Sequence, residues 1–455
     1  MGNYSGLPTE LKIQISSYLP CFDLANLACV CKSHTIIARE HLYQAPEILQ
    51  PDEGHRLIAL LRTLFTQPHL IHKIRSLSIS VIDCSVPFNA ESSVDEMKEC
   101  FIDQDEHDDT RWCPEYQAVQ RELLHRLSEY GATAHSDLPW VQNIHNWRTT
   151  SFYSGLLVLL PNLVCISSSC YIKPVGRDCS VSVDESIDYP RRVFGRSPFD
   201  DLDLKVRQQL KLKEFRLKAG VLNRGIIQIP GVHHLALGSQ AAVGAYRIDD
   251  FRHITHLEVS ISFTAVNTLT WHYIHIRTLL STTSKLKQLK LKVEAPSDSA
   301  LCAAKELLFK RFLMILDDLD LSMSTLETLV IISAEQRQIE LFRSLDPLPD
   351  FRKFINLRKL TLPFQPSVDS LENKLPPNIE ELDLHLLCTS PIISSPLDSI
   401  VRYKIANLTL RRLNLYILHE SNFVIGESIW ERLKENKVAT YVWVREHTLI
   451  YAMPA

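Results

Sequence analysis

The sequence predicts an α/β chain: a short N-terminal helical module, then a long irregular solenoid with a parallel strand ladder and outer helices. Three observations predict it. Apolar residues recur at helical spacing through residues 7–43. From Ile74 to Trp443 a different pattern recurs: apolar, two residues, apolar, one residue, apolar. Between those recurrences lie amphipathic segments of helix length.

The N-terminal module reads as three short helices. Pro8 suits a first helical turn, where its missing N–H would be unpaired anyway. Leu11, Ile15 and Leu19 line one face, and Pro20 stops that helix. Asp23 is the expected N-cap of the second, whose stripe is Leu24, Leu27, Ala28 and Cys31. Ile36, Ile37 and Leu42 form the third stripe. So short a module rarely holds a core alone. It carries more apolar residues than three short helices bury against one another, so the leftover apolar face is expected either to dock on the rest of the chain or to meet another protein.

The order and spacing of Leu7-Pro8, Glu10-Leu11, Ile15, Leu19-Pro20, Asp23-Leu24, Leu27, Val30-Cys31-Lys32 and Leu42-Tyr43 resemble the F-box. His34 departs from that pattern, standing where the family often has Trp. The resemblance covers residues 1–46. It implies binding to the Skp-type adaptor of cullin-RING (SCF) ubiquitin ligases. The adaptor-facing residues would be Leu7, Pro8, Leu11, Ile15, Leu19, Leu24, Leu27, Val30 and Cys31.

Residues 47–69 read as a helical linker, with a helix over His55–Phe65. The repeats follow over 70–455. They are Ile74-Leu77-Ile79, the degenerate Leu163-Ile166-Ser168, Leu212-Phe215-Leu217, Val232-Leu235-Leu237 and Ile254-Leu257-Val259. Next come Leu286-Leu289-Leu291, Leu326-Leu329-Ile331, Leu357-Leu360-Leu362, Ile379-Leu382-Leu384, Leu410-Leu413-Leu415 and Val438-Tyr441-Trp443. From Leu212 onward the spacing runs from 20 residues (212 to 232) to 40 (286 to 326). The last two apolar positions alternate as one face of a strand must. No such strand buries its face alone, so neighbours are expected to stack into a parallel ladder. The pattern resembles divergent leucine-rich repeats, of the irregular kind often found behind an F-box in fungal proteins. Outer helices are expected at 114–130, 267–282, 297–318, 335–345, 397–405 and 427–436.

Two insertions interrupt the array, near 84–113 and 174–203. The first contains Glu91–Asp109, with nine acidic residues and one lysine, and reads as a solvated loop. The second mixes Pro, Ser, Asp and Arg and reads as a long loop.

A net charge of −4 exerts no general pull toward nucleic acid or an anionic membrane, so neither is an expected partner. The start, MGNYSGLPTE, lacks the apolar core of a secretory leader. The eleven cysteines form no CxxC pair, as suits free thiols in a reducing compartment. Localisation is therefore expected to be cytoplasmic and/or nuclear. Only 13 glycines occur, and no phosphate loop, nucleophile elbow or HExxH helix is present. The histidine pairs 69/72, 272/275 and 233/234 have no third ligand at metal spacing, and 233 and 234 are expected to face opposite ways. No metal, cofactor or catalytic residue is expected.

What remains is a binding surface. Residues flanking the strand's apolar positions would face the concave side of such a solenoid. There Arg216, Lys218, Lys290, Lys292 and Lys359 suggest a broken basic band, with Val330 and Ile332 as an apolar step. The expected function is substrate recognition for an SCF-type ligase, holding the target on the solenoid and the adaptor on the N-terminal module. The alternative is a protein-interaction scaffold with no ligase link.

Overall fold

The computed structural model describes residues 6–48, 53–83, 114–129, 144, 149–172, 210–222, 229–243, 251–262, 277, 279–294, 325–333, 350–364, 371–386, 394–417, 427–444 and 448–453. The expected helices at 297–318 and 335–345, most of 267–282, and both loop insertions lie outside these residues. The chain forms two compact units, Met1–Val232 and His233–Ala455.

The first unit opens with α1 (Thr9–Ser16), α2 (Cys21–Val30) and α3 (Lys32–Leu42). Helices α2 and α3 pack on each other, and α1 lies against α3. Thr35 Oγ1 fixes the α2–α3 corner by donating to the carbonyls of Ala28 (2.6 Å) and Cys31 (2.9 Å). Three expectations are corrected here. Pro20 rather than Asp23 sits at the N-cap of α2, so Asp23 lies inside its first turn. There the carboxylate still favours the positive end of the helix. Leu19 lies in the turn after α1, outside the helix. The buried face of α3 is His34 and Ala38, one turn apart, while Ile36 points to solvent.

The parallel ladder starts earlier than expected. Residues Glu47–Ile48 form β1, not the start of a helical linker, and pair in parallel with β2 (Ser76–Asp83). Between them runs α4 (Glu53–Thr66). The N–H groups of Arg75 and Ser76 both donate to the carbonyl of Gln44, and Ser78 donates to Pro46. The three-helix module is thus stitched by backbone bonds to the first repeat. Helices α5 (Pro114–Glu129) and α6 (Thr149–Leu159) follow, then β3 (Cys165–Ile172) and β4 (Glu214–Leu222). Strand β2 pairs β3 and β3 pairs β4, both in parallel. All three apolar positions of these repeats are buried, and the degenerate Ser168 occupies its core position.

Gly231 immediately precedes the first apolar residue of its repeat. A Cβ there would lie 2.5 Å from the backbone carbonyl oxygen of Leu212. In a later repeat the equivalent residue is Thr325, whose hydroxyl donates to the equivalent carbonyl, Leu286, at 2.8 Å. Gly231→Ala is expected to lower stability by about 1–3 kcal/mol in urea denaturation, because a backbone atom must give way.

The second unit carries β5 (His234–Val243), β6 (His256–Ser262), β7 (Gln288–Glu294), β8 (Thr328–Ser333), β9 (Lys359–Phe364), β10 (Glu381–Leu386), β11 (Arg412–Ile417) and β12 (Ala439–Val444). They pair in chain order and in parallel. Strand β13 (Thr448–Met453) closes the order antiparallel to β12. Helices α7 (Ser394–Ala406) and α8 (Glu427–Glu435) match the helices expected over 397–405 and 427–436.

One hydrogen-bond unit repeats throughout. Two consecutive N–H groups at the start of a strand donate to a single carbonyl of the preceding repeat. Thr255 and His256 donate to His233, Lys287 and Gln288 to Thr255, and Glu327 and Thr328 to Lys287. Arg358 and Lys359 donate to Glu327, Glu380 and Glu381 to Arg358, and Arg411 and Arg412 to Glu380. The shared carbonyls belong to residues of alternating charge from Lys287 onward: Lys287, Glu327, Arg358, Glu380, with Arg411 next. Lys287 and Glu327 are 3.2 Å apart, and Arg358 and Glu380 3.6 Å. Exposed pairs of this kind add little stability. Their alternation does oppose a slip by one repeat, which would set like charges side by side.

Strand β12 breaks the unit. Only Ala439 donates to Arg411, and Lys437 takes a left-handed backbone (φ 55°) in the preceding turn. The approach is one residue shorter, so every following side chain changes face. Thr440 and Val442 therefore point into the core, and Tyr441 and Trp443 do not, correcting the expected Val438-Tyr441-Trp443 triplet.

Candidate interaction surfaces

The N-terminal helices present apolar side chains to solvent. Of the ten large hydrophobic side chains exposed on the described surface, seven fall between Leu11 and Ile36, which makes this module the main apolar outer surface. Helix α1 is arranged against the usual rule: it buries Ser16 and exposes Leu11, Ile13 and Ile15. Tyr18 is 79% exposed and Phe22 76%. Concentrated apolar exposure of this kind marks a partner surface.

The residues expected to face an adaptor are not all equally placed. Pro8, Leu11, Ile15, Val30 and Cys31 are exposed, and Leu7, Leu19 and Leu27 are half-buried. Leu24 is only 4% exposed, so it packs the module rather than meeting a partner. Ile13, Tyr18, Phe22 and Ile36 join the exposed set and were missed, because helical periodicity was read as one inward stripe per helix. The available signal was the apolar excess itself: α1 has Leu or Ile at 11, 13 and 15, which no single face holds. Cys31 caps α3, and its thiol titrates below the ordinary range. The Ser33 side chain at 3.1 Å is the main cause and the backbone N–H of His34 the next.

The open face of the strands in the second unit is the other candidate. Its charged residues are largely paired across strands. Lys290 lies 3.1 Å from Glu258. Lys359 lies 3.1 Å from Glu381 and 3.3 Å from Asp383. Thr361 donates to Asp383 at 3.1 Å, and Asn414 bridges Asp383 (2.5 Å) and Glu381 (3.3 Å). Asp383, Thr361 and Asn414 are buried. Register explains the network: Lys359 pairs Glu381, which pairs Arg412, and Thr361 pairs Asp383, which pairs Asn414. The basic band expected from Lys290 and Lys359 is therefore neutralised by carboxylates one strand away. Lys292, Val330 and Ile332 stand on the same face, half-buried. Arg216 and Lys218 belong to the first unit, where Arg216 pairs with Glu214 at 2.5 Å and Lys218 is exposed.

Burial opposes the charge on Lys359, but Asp383 and Glu381 outweigh it and raise its pKa above the ordinary 10.5. A raised folded-state pKa stabilises fully below the unfolded value and is lost as pH rises through the folded one. Melting curves of wild type and Lys359→Met are expected to differ most at neutral pH and to converge as the pH rises through the raised folded-state pKa.

Two ring groups complete this face. His385, Tyr416 and Trp443 are register partners on β10, β11 and β12. Their centroids lie 4.6 Å and 6.3 Å apart, with nearly parallel planes. Arg412 sits 5.7 Å over the ring of Tyr441. At the start of β5 and on β6, the rings of His233, just before the strand, and His234 lie 6.2 Å and 5.8 Å from that of His256, so they share a neighbour rather than diverging. Burial, then the neighbouring His234 and His233, depress the pKa of His256. Among the described residues no group of three His, Cys, Asp or Glu has the geometry to hold a metal ion. Among them, no helix is long and apolar enough to cross a membrane.

A family model described as F-box-like matches residues 4–48, the three helices and β1. No curated relative matches the chain. Among solved structures it is similar to the leucine-rich repeat-containing protein LegL7 from Legionella pneumophila. That match has 11% identity over 90% of this chain and 92% of that one, and a TM-score of 0.30. The chain carries an F-box-like domain followed by a leucine-rich-repeat-like ladder of parallel strands, an architecture of protein interaction.

Proposed function

We propose that this chain is the substrate-recognition subunit of an SCF-type (cullin-RING) ubiquitin ligase. The F-box-like helices would hold the Skp-type adaptor, and through it the cullin and RING subunits. The open face of the strands would hold a target protein. The chain would contribute no bond-making chemistry of its own, and it would act in the cytoplasm and/or nucleus.

The observation that carries this reading is the apolar surface on residues 11–36, on the segment that matches the F-box-like model. Apolar surface is costly to leave in water, at about 25 cal/mol per Å². The backbone bonds from Arg75, Ser76 and Ser78 to residues 44–46 add a mechanical element. They fix the adaptor-binding helices to the first repeats, so a target held by the first unit would have a defined position. Holding target and loaded conjugating enzyme in one assembly raises their effective concentration to the millimolar range.

The test is affinity purification of the full chain from cells, with and without substitutions in the apolar surface. Adaptor and cullin are expected with wild type and absent with the variant. Purification of adaptor without cullin would favour the second reading, an interaction scaffold outside a ligase.

A further inference from the structure

We propose that the aromatic row His385–Tyr416–Trp443, with Tyr441 beside it and Val330 and Ile332 two strands further on, binds an extended, uncharged target segment carrying an aromatic or large aliphatic anchor. This deepens the proposed substrate-recognition role and rests on it.

An acidic or phosphorylated segment would need free positive charge, yet Lys290 and Lys359 already face Glu258, Glu381 and Asp383 within 3.3 Å. Arg412 lies 3.7 Å from Glu381 and over the Tyr441 ring. A basic segment would in turn compete with Lys359 for a buried Asp383 already bonded by Thr361 and Asn414. The charges nearest the ring row are paired internally, and the surface left to a ligand there is apolar and aromatic.

The geometry then sets the ligand's form. Val330, Thr361, Asp383, Asn414 and Tyr441 stand at one level across β8 to β12. His385, Tyr416 and Trp443 stand one step further along three of those strands. Strands about 4.8 Å apart make the five-strand width about 19 Å, the span of about six extended residues. The three rings stack with planes 18° and 14° apart, so their edges form one ridge instead of separate pockets. A ridge of ring edges suits another ring or a branched aliphatic side chain laid across it. The indole Nε1 of Trp443 is buried and has no hydrogen-bond partner. A backbone carbonyl of the segment is the acceptor it lacks, after a small turn of the ring.

The test pans a random-peptide phage library, and a phosphopeptide library beside it, on the full chain. Selected peptides are then measured by fluorescence anisotropy. Uncharged peptides with an aromatic, Leu or Ile anchor are expected. Tyr416→Ala should weaken them about tenfold or more, while Tyr416→Phe retains binding. Should Tyr416→Ala melt early, His385→Ala reads the same ridge with Tyr416 in place. Lys290→Glu should leave affinity and its salt dependence unchanged. Enrichment of acidic or phosphorylated peptides would overturn the proposal. So would the absence of any selected peptide that depends on Tyr416 or His385. Adaptor binding is measured on the same preparations: its loss contradicts the ligase reading alone, and its retention with no peptide contradicts the ridge alone.

Discussion

Replacing Ile15 and Val30 together by Asp is expected to weaken binding to a Skp-type adaptor by about 100-fold or more while leaving the chain folded. Val30 is 68% exposed and Ile15 38%, so the substitutions remove little internal packing. Two new carboxylates would have to be desolvated wherever the partner covers them, at a cost of several kcal/mol. Each 1.4 kcal/mol is a factor of ten in affinity. Phe22→Ala, at the start of α2, is expected to add to the loss, since buried aromatic anchors dominate interfaces. Leu7→Ala with Pro8→Ala should act in the same direction. Leu24→Ala should instead lower stability, because Leu24 is interior. The check is calorimetric titration against purified adaptor, with circular dichroism confirming the fold. Undiminished affinity of the Asp pair would show that these helices do not make the contact.

Leu413→Ala is expected to destabilise the second unit by about 2–5 kcal/mol, the range for large-to-small changes in a closed core. Leu413 has no exposed surface and stands between Leu382 on β10 and Thr440 on β12. Loss at one rung of a ladder reaches both neighbours, since each repeat buries its face only against the next. Leu408→Ala is the control. It lies just before the same strand, is 81% exposed, and is expected to change stability by no more than about 0.5 kcal/mol. Urea midpoints of the two variants check the pair; equal shifts would mean that the strand's inward face does not form the core.

The ladder was legible because its signal is local. Two alternating apolar residues after a leading one define the inward face, and from Leu77-Ile79 through Leu413-Leu415 those positions are buried as the pattern requires. The one failure, β12, comes from a property that the apolar pattern does not encode. A left-handed turn at Lys437 shortens the approach by a residue, and Tyr441 and Trp443 are apolar enough to mimic inward positions. Strand β1 was missed because two residues are too short for any period to show.

The surfaces were less legible because they depend on which strand lies beside which. Lys290 and Lys359 read as a basic band until the register sets Glu258 and Glu381 next to them. His256 became the shared neighbour of His233 and His234 for the same reason. The alternating charges at 287, 327, 358, 380 and 411 were readable in the sequence once the repeats were aligned. On the N-terminal module, periodicity located the helices but not which face turned outward. Leu24 and Ile36 exchanged roles because the inward side of α3 is set by packing on α2.

The most direct measurement of the central claim is the mass of the assembly that the full chain forms with purified Skp-type adaptor and cullin, by size-exclusion chromatography with light scattering. A single peak with one copy of each is expected, with the chain eluting alone when Ile15 and Val30 are both replaced by Asp. A wild-type chain that elutes alone beside an intact adaptor–cullin pair would contradict it.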